Sequence, residues 1–292
     1  MRELRDRVVV VTGGAAGVGR GLVEAFLDKG AKVVIADIEA PVLDATVDEL
    51  EGRGEVWGVR TDVADEASLE ALAAAVFDRY GTCNVLCNNA GVTSGGGGLP
   101  WEQEPNDWRW CHSVNVLGTA MCTLAFVPRM LATGDEGLIV NTSSGDGGFA
   151  PVLNASVYAA SKAAVSCFTE ALAHNFVNEG TNLRAAVFYP SGGLLETGLW
   201  TAQRNRPADL ARVRPRPAAP MTTIADFKAA MEAAGTPLKT MDVGELGRFA
   251  VDAIQEGRYI ISYGLDEIAE LLHARADAIG RAELPPTLHP YQ

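Results

Sequence analysis

The chain has 292 residues, 48% of them hydrophobic and 21% charged, with a formal net charge of −13. This length allows one large α/β domain, and the acidity argues against binding to nucleic acid or to an anionic membrane surface. No apolar run approaches the ~20 residues of a membrane span, and the amino terminus lacks a secretory signal pattern. The five scattered cysteines are typical of reduced thiols and do not suggest a metal site. We therefore expect a cytoplasmic enzyme without a bound metal.

Apolar runs alternate with helical patterns along the first two thirds of the chain. Strands are predicted at Val8–Val11, Lys32–Ala36, Glu55–Thr61, Asn84–Cys87, Gly137–Asn141 and Leu183–Phe188. Helices are predicted at Gly21–Lys29, Val42–Glu51, Glu66–Arg79, Asp107–Leu131 and Ala155–Glu179. Because strands that alternate with long helices form βαβ crossovers, we expect a doubly wound α/β fold with a parallel sheet flanked by helices.

The carboxyl-terminal third follows a different pattern. Residues 191–240 are rich in proline and charge, which is typical of a lid or of a disordered insertion, and we favour a substrate lid. Gly244–Gln255 is predicted as a helix, Arg258–Tyr263 as a last strand and Leu265–Arg281 as an amphipathic helix. That last helix either docks on the sheet, contacts another subunit or forms a wall of the substrate pocket. We therefore predict one NAD(P)-binding domain over residues 1–292, with a lid insertion at 191–240 and an extension at 265–292.

Glycines fill the turn between the first strand and the first helix. Gly13 permits a tight turn, Gly17 lets the backbone approach a pyrophosphate, and Gly19 allows the helix to pack closely on the strand. The helix N-terminus then offers free amides and the positive end of its dipole to phosphate groups. The turn therefore predicts a dinucleotide site.

Asp37 closes the second strand, where a carboxylate can accept hydrogen bonds from both ribose hydroxyls of NAD. The same carboxylate would repel a 2′-phosphate. No basic residue follows at Ile38, and Ala16 occupies the turn position where a basic residue would favour NADP. The sequence therefore predicts NAD as the cofactor.

Tyr158 and Lys162 stand four residues apart in a predicted helix, so they share one face with roughly 5–6 Å between their Cβ atoms. The ordinary pKa values of the two groups, ~10 and ~10.4, are too high for efficient proton exchange at neutral pH. A neighbouring ammonium favours the phenolate and lowers the pKa of the tyrosine. The pair therefore predicts proton transfer.

With these motifs in order, the chain resembles the short-chain dehydrogenase/reductase family over about residues 5–190. The resemblance is carried by the turn Thr12–Gly19, the pair Asp62-Val63, the run Asn88–Gly91, a helix asparagine, the second serine of Asn-Thr-Ser-Ser, and Tyr-x-x-x-Lys. It implies a single-domain Rossmann enzyme that interconverts a secondary alcohol and a ketone. It also implies a homodimer or homotetramer assembled through the helices at Asp107–Leu131 and Ala155–Glu179.

The resemblance implies a catalytic tetrad formed by Asn115, Ser144, Tyr158 and Lys162. Tyr158 would exchange a proton with the substrate oxygen, Ser144 would orient that oxygen, and Lys162 would lower the tyrosine pKa and hold the nicotinamide ribose. Asn115 would hold a water that links Lys162 to solvent. The expected cofactor contacts are Gly13, Gly17, Val18, Gly19, Asp37, Ile38, Asp62, Val63, Asn89, Ala90, Gly91, Tyr158, Lys162, Pro190 and Thr197.

Some of these residues also have purely structural interpretations. Asn115 could serve only as a helix-interior amide, Ser143 is the better candidate for a strand-end hydroxyl that bonds the backbone, and Asn88 more plausibly braces its turn than touches NAD. Asp146 could contact substrate, although a loop aspartate commonly bonds its own backbone. A non-catalytic dinucleotide-binding sensor or scaffold is the alternative from another class, and an epimerase or dehydratase is a rival among enzymes.

The sequence departs from the family pattern where the substrate should bind. Ser191 intrudes between Pro190 and Gly192, which leaves Thr197 as the best candidate for the carboxamide contact. Apolar residues of the lid and of the loop after the fourth strand suit a bulky hydrophobic or aromatic alcohol or ketone, unless they only pack the lid down. Those residues are Leu194, Leu195, Leu199, Trp200, Met221, Trp101, Trp108 and Trp110. The long lid with Arg204-Asn-Arg-Pro207, together with a helix in place of the family's usual ending, resembles the subgroup that oxidises bulky aryl alcohols.

Overall fold

A computed structural model describes residues 1–94, 98–214, 223–233, 235 and 238–288. Its main sheet has seven parallel strands in the order β3-β2-β1-β4-β5-β6-β9. These are β1 Val8–Thr12, β2 Lys32–Asp37, β3 Val56–Arg60, β4 Val85–Asn88, β5 Gly137–Thr142, β6 Leu183–Phe188 and β9 Ile260–Ile261. A separate parallel pair consists of β7 Leu194–Leu195 and β8 Thr240–Met241.

The strands are connected by α-helices that cover both faces of the sheet. The helices are α1 Gly17–Asp28, α2 Ala40–Leu50, α3 Glu66–Tyr80, α4 Pro105–His112, α5 Thr119–Thr133, α6 Ser156–Asn178, α7 Ile224–Ala233, α8 Val243–Glu256 and α9 Leu265–Gly280. Short 3₁₀ segments include Gly198–Asn205 in the lid. The predicted doubly wound α/β fold is thus confirmed.

Two hydrophobic cores lie on opposite faces because side chains alternate along each strand. Val9 and Val11 of β1 enter the core formed with α1, α2 and α8, whereas Val8 and Val10 enter the core formed with α3, α5 and α6. All five residues of β1 are buried, which explains its continuous apolar run.

The predicted helix at Asp107–Leu131 is longer than expected and is interrupted. It begins at Pro105 and contains the π-helical stretch Ser113–Gly118. There Thr119 Oγ1 donates to the backbone oxygen of Asn115 at 2.9 Å, and such bonds back to the helix compete with its regular ladder. Hydrophobic periodicity depends only on apolar residues, so it does not predict this interruption. Such π-helical stretches are frequent at functional sites.

Among the described residues, one helical stretch, Pro105–Thr133, is long and apolar enough to cross a membrane by length and composition alone. The core helix of a soluble protein meets the same criterion. Here Phe126 and Met130 are buried in the core against the sheet.

The last strand is shorter than predicted, with Ile260–Ile261 in place of Arg258–Tyr263. The N–H of Arg258 still bonds the end of α8 through the oxygen of Ala253, and the N–H of Tyr263 donates to the side chain of Ser191 instead of to a strand. The lid region 191–240 contains β7, β8, the segment Gly198–Asn205 and α7; residues 215–222, 234, 236 and 237 lie outside the described residues.

Candidate active site

The predicted site residues gather at the carboxyl edge of the sheet. Because β1 lies between β2 and β4 in the strand order, the chain reverses its winding there and opens a crevice. Thr12, Asp37, Asn88 and Thr142 end four of the strands at this edge. The structure therefore brings together motifs that are far apart in the sequence.

The glycine turn leaves no room for side chains. Gly13 has a φ of +62°, and a Cβ atom there would lie 2.9 Å from the Cα of Ala90. A Cβ atom at Gly19 would lie 2.0 Å from the oxygen of Gly13. Val18 lies between Gly17 and Gly19 in the first turn of α1. Ala16 is the N-cap residue of this helix, and no side chain of a described residue forms a capping hydrogen bond there. The amide-lined turn fits the phosphates of a dinucleotide.

Asp37 is buried beside this turn. Its Oδ2 accepts a hydrogen bond from the N–H of Ala15 and its Oδ1 accepts one from the N–H of Glu39, both at 3.1 Å. Burial raises the pKa of Asp37, and the two backbone donors counter that effect by favouring the charged form. The carboxylate therefore stands at the end of β2, next to Ile38, as a dinucleotide ribose would require.

The Asn88–Gly91 run connects β4 to the glycine turn. Asn88 donates to Oδ1 of Asn141 at 2.9 Å and so braces the strands, as expected for a structural residue. Asn89 donates to the backbone oxygens of Thr12 and Gly13 at 3.0 and 3.2 Å. This run therefore holds the cofactor turn in position.

The pair Asp62-Val63 follows β3 at the same edge. The Oδ1 of Asp62 accepts a hydrogen bond from the N–H of Ala64 at 2.9 Å, which stabilises the turn into α3. Val63 packs against Gly118, where a Cβ atom would lie 3.0 Å from Val63. Their contact with adenine stays a prediction.

Tyr158 and Lys162 lie on one face of α6. The Nζ of Lys162 is 5.7 Å from the ring centroid of Tyr158 and donates to the backbone oxygen of Thr142 at 2.8 Å. Because the lysine is fully enclosed, desolvation lowers its pKa to about 8. A group with this pKa can exchange protons near neutral pH.

Asn115 lies opposite this pair in the π-helical stretch. Its Oδ1 accepts from the N–H of Val92 at 2.8 Å, while its Nδ2 donates to Ser161 Oγ at 2.9 Å. These bonds tie the end of β4 to α6, so the side chain has a structural function. A Cβ atom at Gly91 would lie 3.4 Å from both Asn115 Oδ1 and Lys162 Nζ, so glycine keeps the space between them open. The water proposed at Asn115 stays a prediction.

The two serines after β5 differ in their surroundings. Ser143 is buried and its Oγ donates to the backbone oxygen of Lys162 at 2.8 Å, which confirms a structural residue. Ser144 is half-buried, and its Oγ accepts from the N–H of Asp146 at 3.2 Å. Ser144 is therefore the serine that can face a substrate.

The loop after Ser144 is covered by the carboxyl-terminal extension. Ile268 of α9 packs against Phe149, and the N–H of Leu288 donates to the oxygen of Pro151 at 3.1 Å. The side chain of Leu288 comes within 3.4 Å of the position that a Cβ at Gly145 would occupy. The extension is therefore in contact with the loop that carries Ser144, and its function as a wall of the substrate pocket stays a prediction.

Asp146 lies in the same loop. Its Oδ1 accepts a hydrogen bond from the N–H of Val152 at 2.8 Å, which is the common behaviour of a loop aspartate. Burial raises its pKa to about 6.

The lid rests on the glycine turn. Thr197, seven residues after Pro190, packs directly on Gly17. A Cβ atom at Gly17 would lie only 3.1 Å from the Cβ of Thr197. The tryptophans divide into two groups: Trp200 and Trp110 pack the lid down, the first against Phe227 and the second beneath Arg206. Trp101 is 77% exposed and Trp108 is 38% exposed. Met221 lies outside the described residues.

Arg204 is a residue of this site that sequence reasoning missed. Its guanidinium binds Glu39, two residues after Asp37. Neither composition nor periodicity connects positions so distant in the chain, and the only available signal was the pair of arginines in Arg204-Asn-Arg206.

Comparison with known proteins agrees with this geometry. The family model for short chain dehydrogenases matches residues 7–207, so the chain belongs to the short-chain dehydrogenase/reductase family. Fluoren-9-ol dehydrogenase from Terrabacter sp. (strain DBF63) is 37% identical over 199 residues, which are 63% of this chain and 56% of that protein.

Two solved structures are informative about the cofactor. A short-chain dehydrogenase/reductase from Burkholderia phymatum in complex with NAD is 33% identical, with a TM-score of 0.87 and 99% of both chains covered. A metagenomic short-chain oxidoreductase in complex with NADP is 30% identical, with a TM-score of 0.59 over 65% of this chain and 84% of that one. The chain is therefore an oxidoreductase of a family that binds nicotinamide dinucleotides.

Proposed function

We propose that this protein is an NAD-dependent dehydrogenase that interconverts a bulky, hydrophobic or aromatic secondary alcohol and its ketone. The observation that carries the proposal is that Lys162 Nζ lies 5.7 Å from the centroid of the Tyr158 ring, with Asn115 across Gly91 and the end of β5, two residues before Ser144, bonded to the lysine. Asp37 supports NAD rather than NADP, because its charge would repel a 2′-phosphate.

The cofactor would be held by residues from each strand end at this edge. The amide-lined turn at Gly13–Gly19 would bind the phosphates and Asp37 the adenosine ribose, while Lys162 and Thr197 would hold the nicotinamide half. When bound, the nicotinamide accepts or supplies the hydride. The remaining contacts proposed are Ile38, Asp62, Val63, Asn89, Ala90, Gly91, Tyr158 and Pro190.

The side chains of this chain would move the proton. In alcohol oxidation, the Tyr158 phenolate accepts the hydroxyl proton while Ser144 Oγ fixes the same oxygen. The Lys162 ammonium favours that phenolate, and its lowered pKa, about 8, allows it to pass a proton onward near neutral pH. Asn115 would hold a water at the end of this route.

The apolar surroundings support a bulky substrate. Phe149 belongs to the loop that carries Ser144, and Leu288 contacts this loop. The relative named fluoren-9-ol dehydrogenase supports the same class. Fluoren-9-ol and the smaller 1-phenylethanol are therefore suitable first substrates.

The decisive variant is Tyr158→Phe, which removes the proton-transferring oxygen and leaves the ring. We expect NADH formation from the alcohol to fall to background while the shift in melting temperature caused by NADH persists. Because ligand binding to the folded state contributes about 2.7 kcal/mol at a hundredfold excess over Kd, binding is measurable without turnover. Full activity in Tyr158→Phe would refute the role of Tyr158. Wild-type protein that binds NADH but oxidises none of the alcohols would instead favour the sensor or scaffold.

We also propose that the protein forms a homodimer or homotetramer. Leu124 and Leu131, seven residues apart on α5, are 64% and 44% exposed, and Val177 on α6 is 76% exposed. Exposed apolar side chains at helical spacing support a contact between subunits through these helices.

A further inference from the structure

Glu39 is the point at which the lid meets the proposed adenosine side of the site. Its two carboxylate oxygens accept from Arg204, with Nη2–Oε1 at 2.5 Å and Nε–Oε2 at 3.1 Å. The Nδ2 of Asn205 donates to the same Oε1 at 2.9 Å. Two parallel bonds between a guanidinium and a carboxylate form the stronger kind of ion pair.

This ion pair lies where the lid spans the proposed cofactor site. The N–H of Glu39 donates to Asp37, the proposed ribose ligand, and the charge of Asp37 helps to raise the pKa of Arg204, after the larger effect of Glu39. The lid segment that carries Arg204 begins at Thr197, and Thr197 packs against Gly17 of the phosphate turn. Residues 197–205 therefore extend from the phosphate turn to the end of β2.

Beyond this segment, the lid is anchored by ion pairs with two buried carboxylates. Arg206 and Arg212 bind Asp107, and Arg214 binds Glu104 at 3.2 Å. Both carboxylates are almost inaccessible, with side-chain exposures of 0% and 4%, whereas Glu39 and Arg204 are 24% and 40% exposed. Solvent can therefore reach the Glu39–Arg204 ion pair, and the lid can detach more easily at this end.

We propose that the Glu39–Arg204 pair is a latch that holds residues 197–205 closed across the adenosine end of a bound dinucleotide and slows its release. The inference rests on the cofactor site of the proposed function. Its ligand is a dinucleotide with a free 2′-hydroxyl, because Asp37 and Glu39 place two carboxylates beside that ribose and Arg204 is already bound to Glu39.

The test is the rate constant for NADH release, measured by stopped-flow fluorescence after mixing the NADH complex with excess NAD. Glu39→Gln and Arg204→Met should each release NADH about two- to fivefold faster, as expected for a partly exposed ion pair. The double variant should be no faster than the faster single variant, because both changes remove the same interaction. Added salt should accelerate release from the wild type more than from the variants.

Arg129→Met is the matched control, because Arg129 also forms a two-bond pair, with Glu70, on the face of the sheet that carries α3 and α5. It should leave the release rate unchanged. Arg204→Lys keeps the charge but loses the fork and should give an intermediate rate, and melting curves of all variants check that they are folded.

The outcomes separate the two proposals. If Glu39→Gln and Arg204→Met are folded and release NADH at the rate of the Arg129→Met control, the latch is wrong and the cofactor proposal stands. If the wild type binds no NADH at all, the latch and the proposed function are both wrong.

Discussion

Replacing Lys162 with methionine should change how the free energy of unfolding depends on pH. The lysine is buried, and desolvation lowers its pKa from 10.5 to about 8 in the folded protein. Between these two values the unfolded chain holds the proton and the folded chain has released it. Stability therefore rises with pH in this window, because the unfolded state binds more protons. Methionine has no proton to release and removes this contribution.

The size of the effect follows from the shift in pKa. A difference of about 2.5 pKa units corresponds to roughly 3 kcal/mol, since one unit is about 1.4 kcal/mol. The variant also loses the 2.8 Å hydrogen bond to the oxygen of Thr142, which costs on the order of 1–3 kcal/mol at every pH. At neutral pH the burial penalty offsets or exceeds the lost hydrogen bond, so we expect the variant to be as stable as the wild type or up to about 2 kcal/mol more stable. Near pH 10.5 the wild type should be about 1–3 kcal/mol more stable, so the difference between the two proteins changes by about 3 kcal/mol across the window.

The measurement is urea unfolding of both proteins without cofactor, at several pH values across this window, in parallel with alcohol oxidation. Titrating groups that do not interact with Lys162 contribute equally in both proteins and drop out of the difference. Lys29→Met is a suitable control, because that side chain lies at the surface, 37% exposed, in an ion pair with Asp252. A stability difference between the two proteins that does not change from neutral to alkaline pH would show that burial does not lower the pKa of Lys162. It would refute the lowered pKa on which the proposed proton transfer depends.

Three further substitutions test other parts of the site. Asp37→Asn should weaken NADH binding about tenfold and improve NADPH binding, as read from thermal shifts, because it removes hydrogen bonds to a charged acceptor together with the repulsive charge; an unchanged preference would contradict the assignment of Asp37. Deletion of residues 285–292, which removes Leu288, should raise the KM for fluoren-9-ol severalfold without changing the Kd of NADH, whereas an unchanged KM would exclude the tail from the pocket. Leu124→Glu should lower the molar mass measured by light scattering, with the highly exposed Leu284→Glu as a control, and an unchanged mass would place the subunit contact elsewhere.

The sequence predicted the sheet and the meeting of the strand-end motifs at one edge because both follow from regular patterns. Each parallel strand ends at the same edge, so the residues after β1, β2, β4 and β5 had to meet once the βαβ order was read correctly. The Tyr158–Lys162 pair required only helical spacing. These features are determined by short stretches of chain and by topology.

Contacts of the lid and the tail could not be predicted in this way. Arg204 reaches Glu39, and Leu288 reaches Pro151, through segments with no repeating hydrophobic pattern. The π-helical stretch at Ser113–Gly118 has no counterpart in the spacing of the apolar residues, so hydrophobic periodicity does not predict it. Side-chain contacts between irregular segments are fixed by the three-dimensional fold, so they become visible only in the structure.

The two ends of the lid should therefore differ in energy, and this difference decides which one moves. Breaking the buried ion pairs of Asp107 with Arg206 and Arg212 leaves a buried charge without compensation and costs about 3–5 kcal/mol, whereas a partly exposed pair such as Glu39–Arg204 contributes about 0–1 kcal/mol. At thermal energies the exposed pair opens often and the buried one rarely. A lid that swings on the Asp107 end and opens at the Glu39 end would uncover the adenosine side first, so cofactor exchange need not disturb the contacts of α9 and Leu288 with the loop after Ser144.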